Sequence, residues 1–74
     1  MRVGIPTEIK NNENRVAITQ AGVFELARRG HEVLVQAGAG LGSAITDEDY
    51  AASGATVVPS ADAVWDGSDM ILKV

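Results

Sequence analysis

The order of elements along this chain constrains its fold more than any other feature. Three times, a Ser or Thr is followed by a short helical segment, a glycine and then an apolar run. The capping residues are Thr19, Thr46 and Ser60, and the glycines are Gly30, Gly54 and Gly67. Hydroxyl side chains accept hydrogen bonds from the free N–H groups that begin a helix, and glycine commonly ends one. Strands that alternate with helices in this way predict an α/β fold, with right-handed crossovers and a parallel sheet flanked by helices.

The same pattern predicts the bounds of each element. The first strand runs from Arg2 to Ile5 and is stopped by Pro6,. The apolar run Val33–Val35 is typical of a strand that is covered on both faces,. The other strands are predicted at 55–58 and at 70–72 with Val74, and the helices at 20–29, 47–53 and 61–66.

Apolar side chains at helical spacing predict which surfaces are buried. On the first helix the apolar stripe consists of Val23, Leu26 and Ala27, and Phe24 widens it,. Tyr50 and Trp65 occupy helix positions, and we expect each of them to pack in the core or at its rim.

Composition narrows the function classes. The 74 residues allow one small domain, and their net charge of −4 argues against a nucleic-acid or membrane surface,. Residues 1–31 hold five basic and three acidic residues, a net +2, so this part is the place to look for an anion site. With no cysteine and one histidine, the chain is not expected to build a disulfide or a metal site,. The apolar start is broken by Pro6 and is too short for a signal peptide, which predicts a cytoplasmic protein,.

The segment 6–19 is the first place to look for chemistry. It follows the first strand, and in open α/β sheets ligands bind beyond the carboxyl ends of the strands. It is also far longer than the usual connection between a strand and a helix. Arg15 lies in it, directly before the apolar residues 16–18, and its planar guanidinium could bind a substrate carboxylate,. In the structural alternative, Arg15 pairs with Glu8 or Glu13 and only ties the loop together.

Four other features favour a structural explanation over a functional one. Gly38–Ser43 follows a strand, but its spacing is G-x-G-x-G and not G-x-G-x-x-G, so we expect a tight turn and not a phosphate site,. The acidic run Asp47–Asp49 is expected to form a solvated capping face. His31 is expected near the surface at a helix end, and Lys73 on a strand edge, where a substrate contact is the alternative.

The end of the sequence indicates a fragment of a longer protein or a piece of a larger assembly. The sequence stops at Val74, inside an apolar strand. A four-stranded parallel sheet with so few helices would leave an edge and apolar faces uncovered. We therefore expect residues 1–74 to be a fragment of a longer protein or one piece of a larger assembly.

Several motifs carry a family resemblance that extends over essentially the whole chain. They are Gly4-Ile5-Pro6-Thr7-Glu8, Asn12-Glu13-Asn14-Arg15-Val16-Ala17, Thr19, Gly22-Val23, Leu26, Arg28-Arg29-Gly30, Gly38-Ala39-Gly40, Gly54-Ala55 and Ile71-Leu72-Lys73-Val74. Together they resemble the N-terminal signature of the alanine dehydrogenase and pyridine nucleotide transhydrogenase family. The one clear departure is Gln20, where the family usually has proline.

The resemblance implies an enzyme that interconverts L-alanine and pyruvate with ammonia and NAD. It implies a Rossmann-like substrate domain of which 1–74 is the first part, a separate NAD-binding domain, and assembly as a homo-oligomer, usually a hexamer. The family's substrate-binding arginine falls on Arg15. Its substrate-binding lysine is expected just beyond Val74, so Lys73 is a neighbouring position, and its catalytic histidine lies further on and is not His31.

Three interpretations stay open from the sequence. The segment 8–13 resembles alanine dehydrogenases more than transhydrogenase α subunits, which are the second interpretation within the family. The third is that the 74 residues act as a non-catalytic assembly module. Glyoxylate or another small 2-oxo acid could serve as a second substrate of the enzyme.

Overall fold

The fold is a parallel sheet with helices against both faces. The computed structural model describes residues 1–7 and 16–73. Its elements are β1 (Arg2–Ile5), α1 (Gln20–Arg28), β2 (Glu32–Gln36), a 3-10 turn (Leu41–Ser43), α2 (Asp47–Ala52), β3 (Thr56–Val58), α3 (Ala61–Gly67) and β4 (Met70–Ile71). In these residues the strands form one four-stranded sheet in the order β3-β2-β1-β4, and every neighbouring pair is parallel. The predicted α/β class is therefore confirmed, and the strand bounds agree with the prediction to within a residue or two.

The strand order places β1 at the point where the chain reverses its direction across the sheet. From β1 the chain moves outward through β2 to β3, and then returns to pair β4 with the opposite side of β1. Gly4 accordingly lies in register with Leu34 of β2 on one side and with Ile71 of β4 on the other. The gap between the carboxyl ends of β1 and β4 is thus the switch point of the sheet.

Alternate residues of β1 and β2 pack on opposite faces of the sheet. Val3, Ile5, Val33 and Val35 are buried in one cluster with Val23 of α1 and Tyr50 of α2. Successive side chains of a strand point to opposite faces, so Gly4 and Leu34 face the other side, where α3 packs. A Cβ atom on Gly4 would lie 2.7 Å from Cγ1 of Val64, so only glycine admits α3 this close to β1. The prediction that Val33–Val35 is covered on both faces is confirmed, since all three residues are buried.

The predicted helix caps are present. Thr19 Oγ1 accepts a hydrogen bond from the Gly22 N–H at 3.3 Å, and Ser60 Oγ accepts one from the Ala63 N–H at 3.2 Å. At α2, Thr46 and Asp49 form a reciprocal capping box: Oγ1 of Thr46 accepts from the Asp49 N–H, and Oδ2 of Asp49 accepts from the Thr46 N–H, each at 3.1 Å. These bonds satisfy backbone donors that the first turn of a helix leaves unpaired.

Glycine ends two of the helices in the expected way and the third differently. Gly30 and Gly54 adopt φ values of +89° and +109°, which is the left-handed conformation that follows a helix end,. Gly67 is instead the last residue of α3, and the chain continues through Ser68 in an extended conformation. A Cβ on Gly67 would lie 2.9 Å from Cδ1 of Leu34. Glycine is needed there for close packing of α3 on the sheet, which corrects its assignment as a helix stop.

Phe24 does not widen the buried stripe of α1, and that prediction is wrong. Val23 is fully buried and Leu26 and Ala27 are partly buried, but Phe24 is 59% exposed. A step of one residue turns a helix by about 100°, which moves Phe24 away from the sheet. Of the two aromatic residues predicted for the core or rim, Tyr50 is fully buried, whereas Trp65 is 53% exposed on α3.

Candidate functional site

The candidate site is the carboxyl edge of the sheet between β1 and β4. The Leu72 N–H donates to the Gly4 carbonyl at 2.9 Å, so the chain leaving β4 stays beside β1 up to its end. Beyond these strands lie Pro6 and Thr7 on one side and Lys73 on the other. Lys73 follows the carboxyl end of β4, as predicted, and is exposed there.

The long connection that follows β1 begins at a fixed point. The Thr7 N–H donates a 2.8 Å hydrogen bond to Oε1 of Gln36, the last residue of β2. Gln36 is half-buried, and its own carbonyl accepts from the Ala39 N–H at 3.0 Å. The strand beside β1 therefore holds the backbone of Thr7 through a side chain at the same edge of the sheet.

A second hydrogen bond holds the far end of this connection. The hydroxyl of Tyr50 donates to the Ile18 carbonyl at 2.8 Å. Burial raises the pKa of Tyr50, so the hydroxyl keeps its proton at neutral pH and remains a donor,. The Ile18 side chain also packs against α1, where a Cβ on Gly22 would lie 2.7 Å from Ile18 Cγ1.

Arg15, the predicted substrate-binding residue, lies in the segment 8–15, outside the described residues. The alternative partners Glu8 and Glu13 lie in the same segment. The role of Arg15 therefore stays a prediction, while the residues that flank it are held at Thr7 and at Ile18.

One further polar atom marks this edge. The hydroxyl oxygen of Thr7 is buried and has no hydrogen-bond partner within residues 1–7 and 16–73. Buried polar groups are normally paired, and an unpaired one here is the kind of group that a bound ligand or a further part of a protein would satisfy.

The glycine-rich segment 38–43 does not fit a dinucleotide phosphate. Several of its backbone donors are used within the protein: the Gly38 N–H donates to Oδ1 of Asp47 at 2.9 Å, and the Ser43 N–H donates to the Gly40 carbonyl at 3.0 Å. A Cβ on Gly40 would lie 2.6 Å from Cε2 of Tyr50, so this glycine makes room for a buried ring. Three carboxylates in the first turn of α2 would also repel a phosphate,. The segment is a tight turn, as predicted.

The acidic run Asp47–Asp49 and His31 both make hydrogen bonds at the ends of helices. The predicted capping face is present, since Asp49 belongs to the capping box of α2. Asp47 accepts a hydrogen bond from the Gly38 N–H, Asp47 and Asp49 are half-buried, and Glu48 is exposed. His31 lies just past α1, and its backbone N–H donates to the Leu26 carbonyl at 3.0 Å. It is half-buried, and its Nδ1 atom is buried with no partner among the described residues. His31 precedes β2 and so lies at the amino edge of the sheet, opposite the candidate site.

Sequence reasoning missed the two residues that hold the connection after β1. Gln36 had a detectable signal, because it is a polar residue that directly ends a buried apolar strand at the expected ligand edge. Tyr50 was predicted to pack, but its hydrogen bond to Ile18 spans 32 residues and has no local signal.

No group of three or more His, Cys, Asp or Glu side chains within residues 1–7 and 16–73 is arranged to hold a metal ion. In the same part of the chain, no helix is long and apolar enough to cross a membrane.

A parallel sheet with helices on both faces and a switch point between β1 and β4 defines the class of Rossmann-like α/β domains, which bind ligands at this edge,. The sequence profile described as "Alanine dehydrogenase/PNT, N-terminal domain" matches residues 4–74. The chain belongs to this family.

Individual relatives agree with the family assignment. The chain is 72% identical over all 74 residues to an alanine dehydrogenase of Mycobacterium tuberculosis and 51% identical to one of Bacillus subtilis. It spans about a fifth (20% and 19%) of the length of these curated relatives.

Two solved structures show the same fold. An L-alanine dehydrogenase superposes with a TM-score of 0.95 at 42% identity, covering 99% of this chain and 20% of that one. A transhydrogenase from Sinorhizobium meliloti superposes with a TM-score of 0.86 at 44% identity, covering 96% of this chain and 21% of that one.

Proposed function

We propose that this chain is the N-terminal part of the substrate domain of an alanine dehydrogenase, which interconverts L-alanine and pyruvate with ammonia and NAD. The observation that carries the proposal is the 72% identity to an alanine dehydrogenase along the entire chain. The end of β1 at the switch point of the sheet agrees with it, because small ligands bind at this position in open α/β sheets,.

Arg15 is proposed to bind the carboxylate that pyruvate and L-alanine share. Both molecules are small and offer little apolar surface, so most of their binding energy comes from hydrogen bonds to charged groups, at roughly 1.5–3 kcal/mol each. A guanidinium donates two parallel hydrogen bonds to a carboxylate and thereby orients the adjacent carbon atom, whereas an ammonium supplies charge without that geometry. Lys73 lies exposed at the same edge and adds positive charge to it.

The reacting cofactor is proposed to bind outside these residues. In segment 38–43 the Gly38 and Ser43 N–H groups donate within the protein, the ring of Tyr50 fills the space at Gly40, and three carboxylates follow in the first turn of α2, which supports a nucleotide site elsewhere. We propose that NAD is held by a second domain, that the enzyme is a cytoplasmic homo-oligomer, a hexamer as in the family resemblance, and that residues 1–74 alone are inactive.

A transhydrogenase α subunit is the second candidate, and the structural likeness to the Sinorhizobium meliloti protein favours it. The superposition on L-alanine dehydrogenase is closer, with a TM-score of 0.95 against 0.86, at nearly equal identity.

An assay of the full-length protein that carries these residues separates the two candidates. We expect NADH oxidation that depends on both pyruvate and ammonia. Hydride transfer from one nicotinamide nucleotide to another, without any dependence on pyruvate, would support the transhydrogenase and overturn the proposal. If neither reaction occurs, the non-catalytic module is the better interpretation.

A further inference from the structure

We propose that the outer edge of β4 is a self-association surface, through which two copies of the 74-residue chain pair antiparallel about a twofold axis at Ile71. The inference does not rest on the proposed function, because it concerns the association of this chain and no catalytic step. It follows from the exposure of β4, from the direction of its backbone groups and from the charges on either side of it.

β4 is the more open of the two outer strands in the sheet that residues 1–7 and 16–73 form. The other outer strand, β3, is followed directly by Pro59 and has α2 packed against it. Proline and a covering element are two of the ways in which proteins protect a sheet edge. At β4, α1 and α3 pack mainly over the inner strands, and the residues Met70, Ile71 and Leu72 are all apolar, with Met70 43% exposed. An apolar edge of this kind favours pairing with another strand.

The backbone of β4 directs the polar groups of Ile71 outward. The Leu72 N–H donates to the Gly4 carbonyl at 2.9 Å, so the backbone groups of Leu72 point toward β1. Successive residues of a strand direct these groups to alternate sides, so the N–H and C=O of Ile71 point away from β1. In an antiparallel pair, two residues that lie opposite each other can exchange both hydrogen bonds. A twofold axis at Ile71 produces this exchange between the two copies, and it places Met70 opposite the apolar Leu72 of the second copy.

The same axis brings opposite charges together at both ends of the contact. Antiparallel pairing about Ile71 places Asp69 of each copy opposite Lys73 of the other. Asp69 is held beside the edge, since its Oδ2 accepts from the Arg2 N–H at 2.9 Å, and Lys73 is exposed. Residues opposite each other in antiparallel strands have Cβ atoms about 4.5–5.5 Å apart, where unlike charges attract and like charges repel. Any other twofold register would lose both ion pairs, so the charges specify this one.

Trp65 extends the apolar surface on the face of the sheet that carries α3. Val64 of α3 lies against Gly4 of β1, whereas Gly67 lies against Leu34 of β2. A step of one residue turns a helix by about 100°, which places Trp65 on the flank of α3 opposite Gly67, toward β4. Its ring is 53% exposed there. We expect this ring to add apolar area to the contact between the two copies.

The first test measures association of the 74-residue chain by sedimentation equilibrium, with circular dichroism to follow its secondary structure. We expect a monomer–dimer equilibrium. Lys73→Glu replaces each unlike pair by two carboxylates and should raise the dissociation constant of the dimer by about 10-fold or more. Thr56→Glu is the matched control, because it places the same charge at an exposed position on the outer edge of β3. Its dissociation constant should stay within about twofold of that of the unmodified chain, since the proposed contact does not involve β3.

A mixture of two variants tests the register. Lys73→Glu leaves only like charges opposite each other in its own dimer, and so does Asp69→Lys, but a mixture of the two restores unlike pairs between copies. We expect the mixture to associate about 10-fold more tightly than either variant alone. Asp69→Lys also loses the hydrogen bond from the Arg2 N–H, so a measurement on the unmodified chain is needed in case this variant fails to fold.

That measurement is a cross-link with a carbodiimide, which joins a carboxylate directly to an amine. Asp69 and Lys73 of one copy are four residues apart along an extended segment, about 13 Å, which is too far for a direct amide bond. An amide between them therefore forms between copies, and mixing isotopically labelled with unlabelled chain identifies it by mass spectrometry. We expect this cross-link in the unmodified chain.

Several results would overturn the proposal. If the chain stays monomeric at millimolar concentration, folded or unfolded, the edge is instead the place where a further part of a longer protein packs. If Lys73→Glu leaves the dissociation constant unchanged, if Thr56→Glu weakens association equally, or if the chain associates without the cross-link between Asp69 and Lys73 of different copies, another surface is responsible. None of these results decides the proposed function, which the activity of the full-length protein tests separately.

Discussion

At the scale of single residues, the three arginines outside segment 8–15 are all paired with glutamates. Arg28 and Arg29 are both engaged with Glu25 on the surface of α1, at 2.7 and 2.8 Å, and this pairing lowers the pKa of Glu25, with Arg28 the larger cause. Arg2 is paired with Glu32 at 3.0 Å. These three arginines have structural partners at the surface, which leaves Arg15 as the arginine proposed for the substrate.

Arg15→Ala in the full-length enzyme should lower kcat/KM for pyruvate by roughly two to four orders of magnitude, or about 3–5 kcal/mol. The reason is the loss of two parallel hydrogen bonds to the carboxylate and of the orientation that they impose. Arg15→Lys should recover only part of the activity, since lysine supplies charge without the planar pair of donors.

Steady-state kinetics with pyruvate and NADH as varied substrates measures both effects. NADH affinity should be nearly unchanged in the two variants. A normal KM for pyruvate combined with a lower melting temperature would instead support the structural alternative, in which Arg15 pairs with Glu8 or Glu13.

At the scale of elements, each of the three α-helices begins after a Ser or Thr whose side chain caps it. α2 is the clearest case, because it has six residues and would not be stable alone,. Its capping box and its three acidic residues in the first turn offset this weakness, since negative charge is favourable at the start of a helix,. The same helix carries Tyr50, so the cap also fixes the residue that holds Ile18.

Removing the cap should therefore have a measurable effect. Thr46→Ala should lower the free energy of unfolding by about 1 kcal/mol, and Thr46→Ser should restore most of it, because serine keeps the accepting oxygen. Denaturant unfolding of the full-length protein, followed by a signal from this domain, measures the difference. Equal stability of Thr46→Ala and the unmodified protein would mean that the capping box contributes nothing.

The elements were predictable because their signals are local, and the site was only partly predictable because its contacts are not. The caps at Thr19, Thr46 and Ser60 and the helix ends at Gly30 and Gly54 are each visible within a few residues of sequence. Which side of β1 receives β4 depends on pairing across the sheet, and no local pattern contains that information. Gly67 shows the same limit, since its contact with Leu34 joins residues that are far apart in the chain.

At the scale of the whole molecule, the described residues form a compact unit with uncovered surfaces. The accessible surface of 4340 Å² is close to the value of about 4,300 Å² expected for a compact protein of this mass,. Several large apolar side chains are nevertheless more than two-fifths exposed, namely Met1, Phe24, Leu41, Trp65 and Met70. The strands β3 and β4 are the outer strands of the sheet that the described residues form.

We therefore expect the 74-residue chain by itself either to associate or to have a low melting temperature. Unpaired strand edges and exposed apolar side chains favour contact between copies. Sedimentation together with a thermal melt measures this behaviour. A monomer with a sharp cooperative melt well above room temperature would contradict the expectation.

The most direct test of the central claim is a crystal structure of the full-length protein with pyruvate bound. We expect the pyruvate carboxylate to lie beyond the carboxyl ends of β1 and β4, within hydrogen-bond distance of the guanidinium of Arg15. Pyruvate bound at the amino edge near His31, or over the turn at Gly38–Ser43, would contradict it.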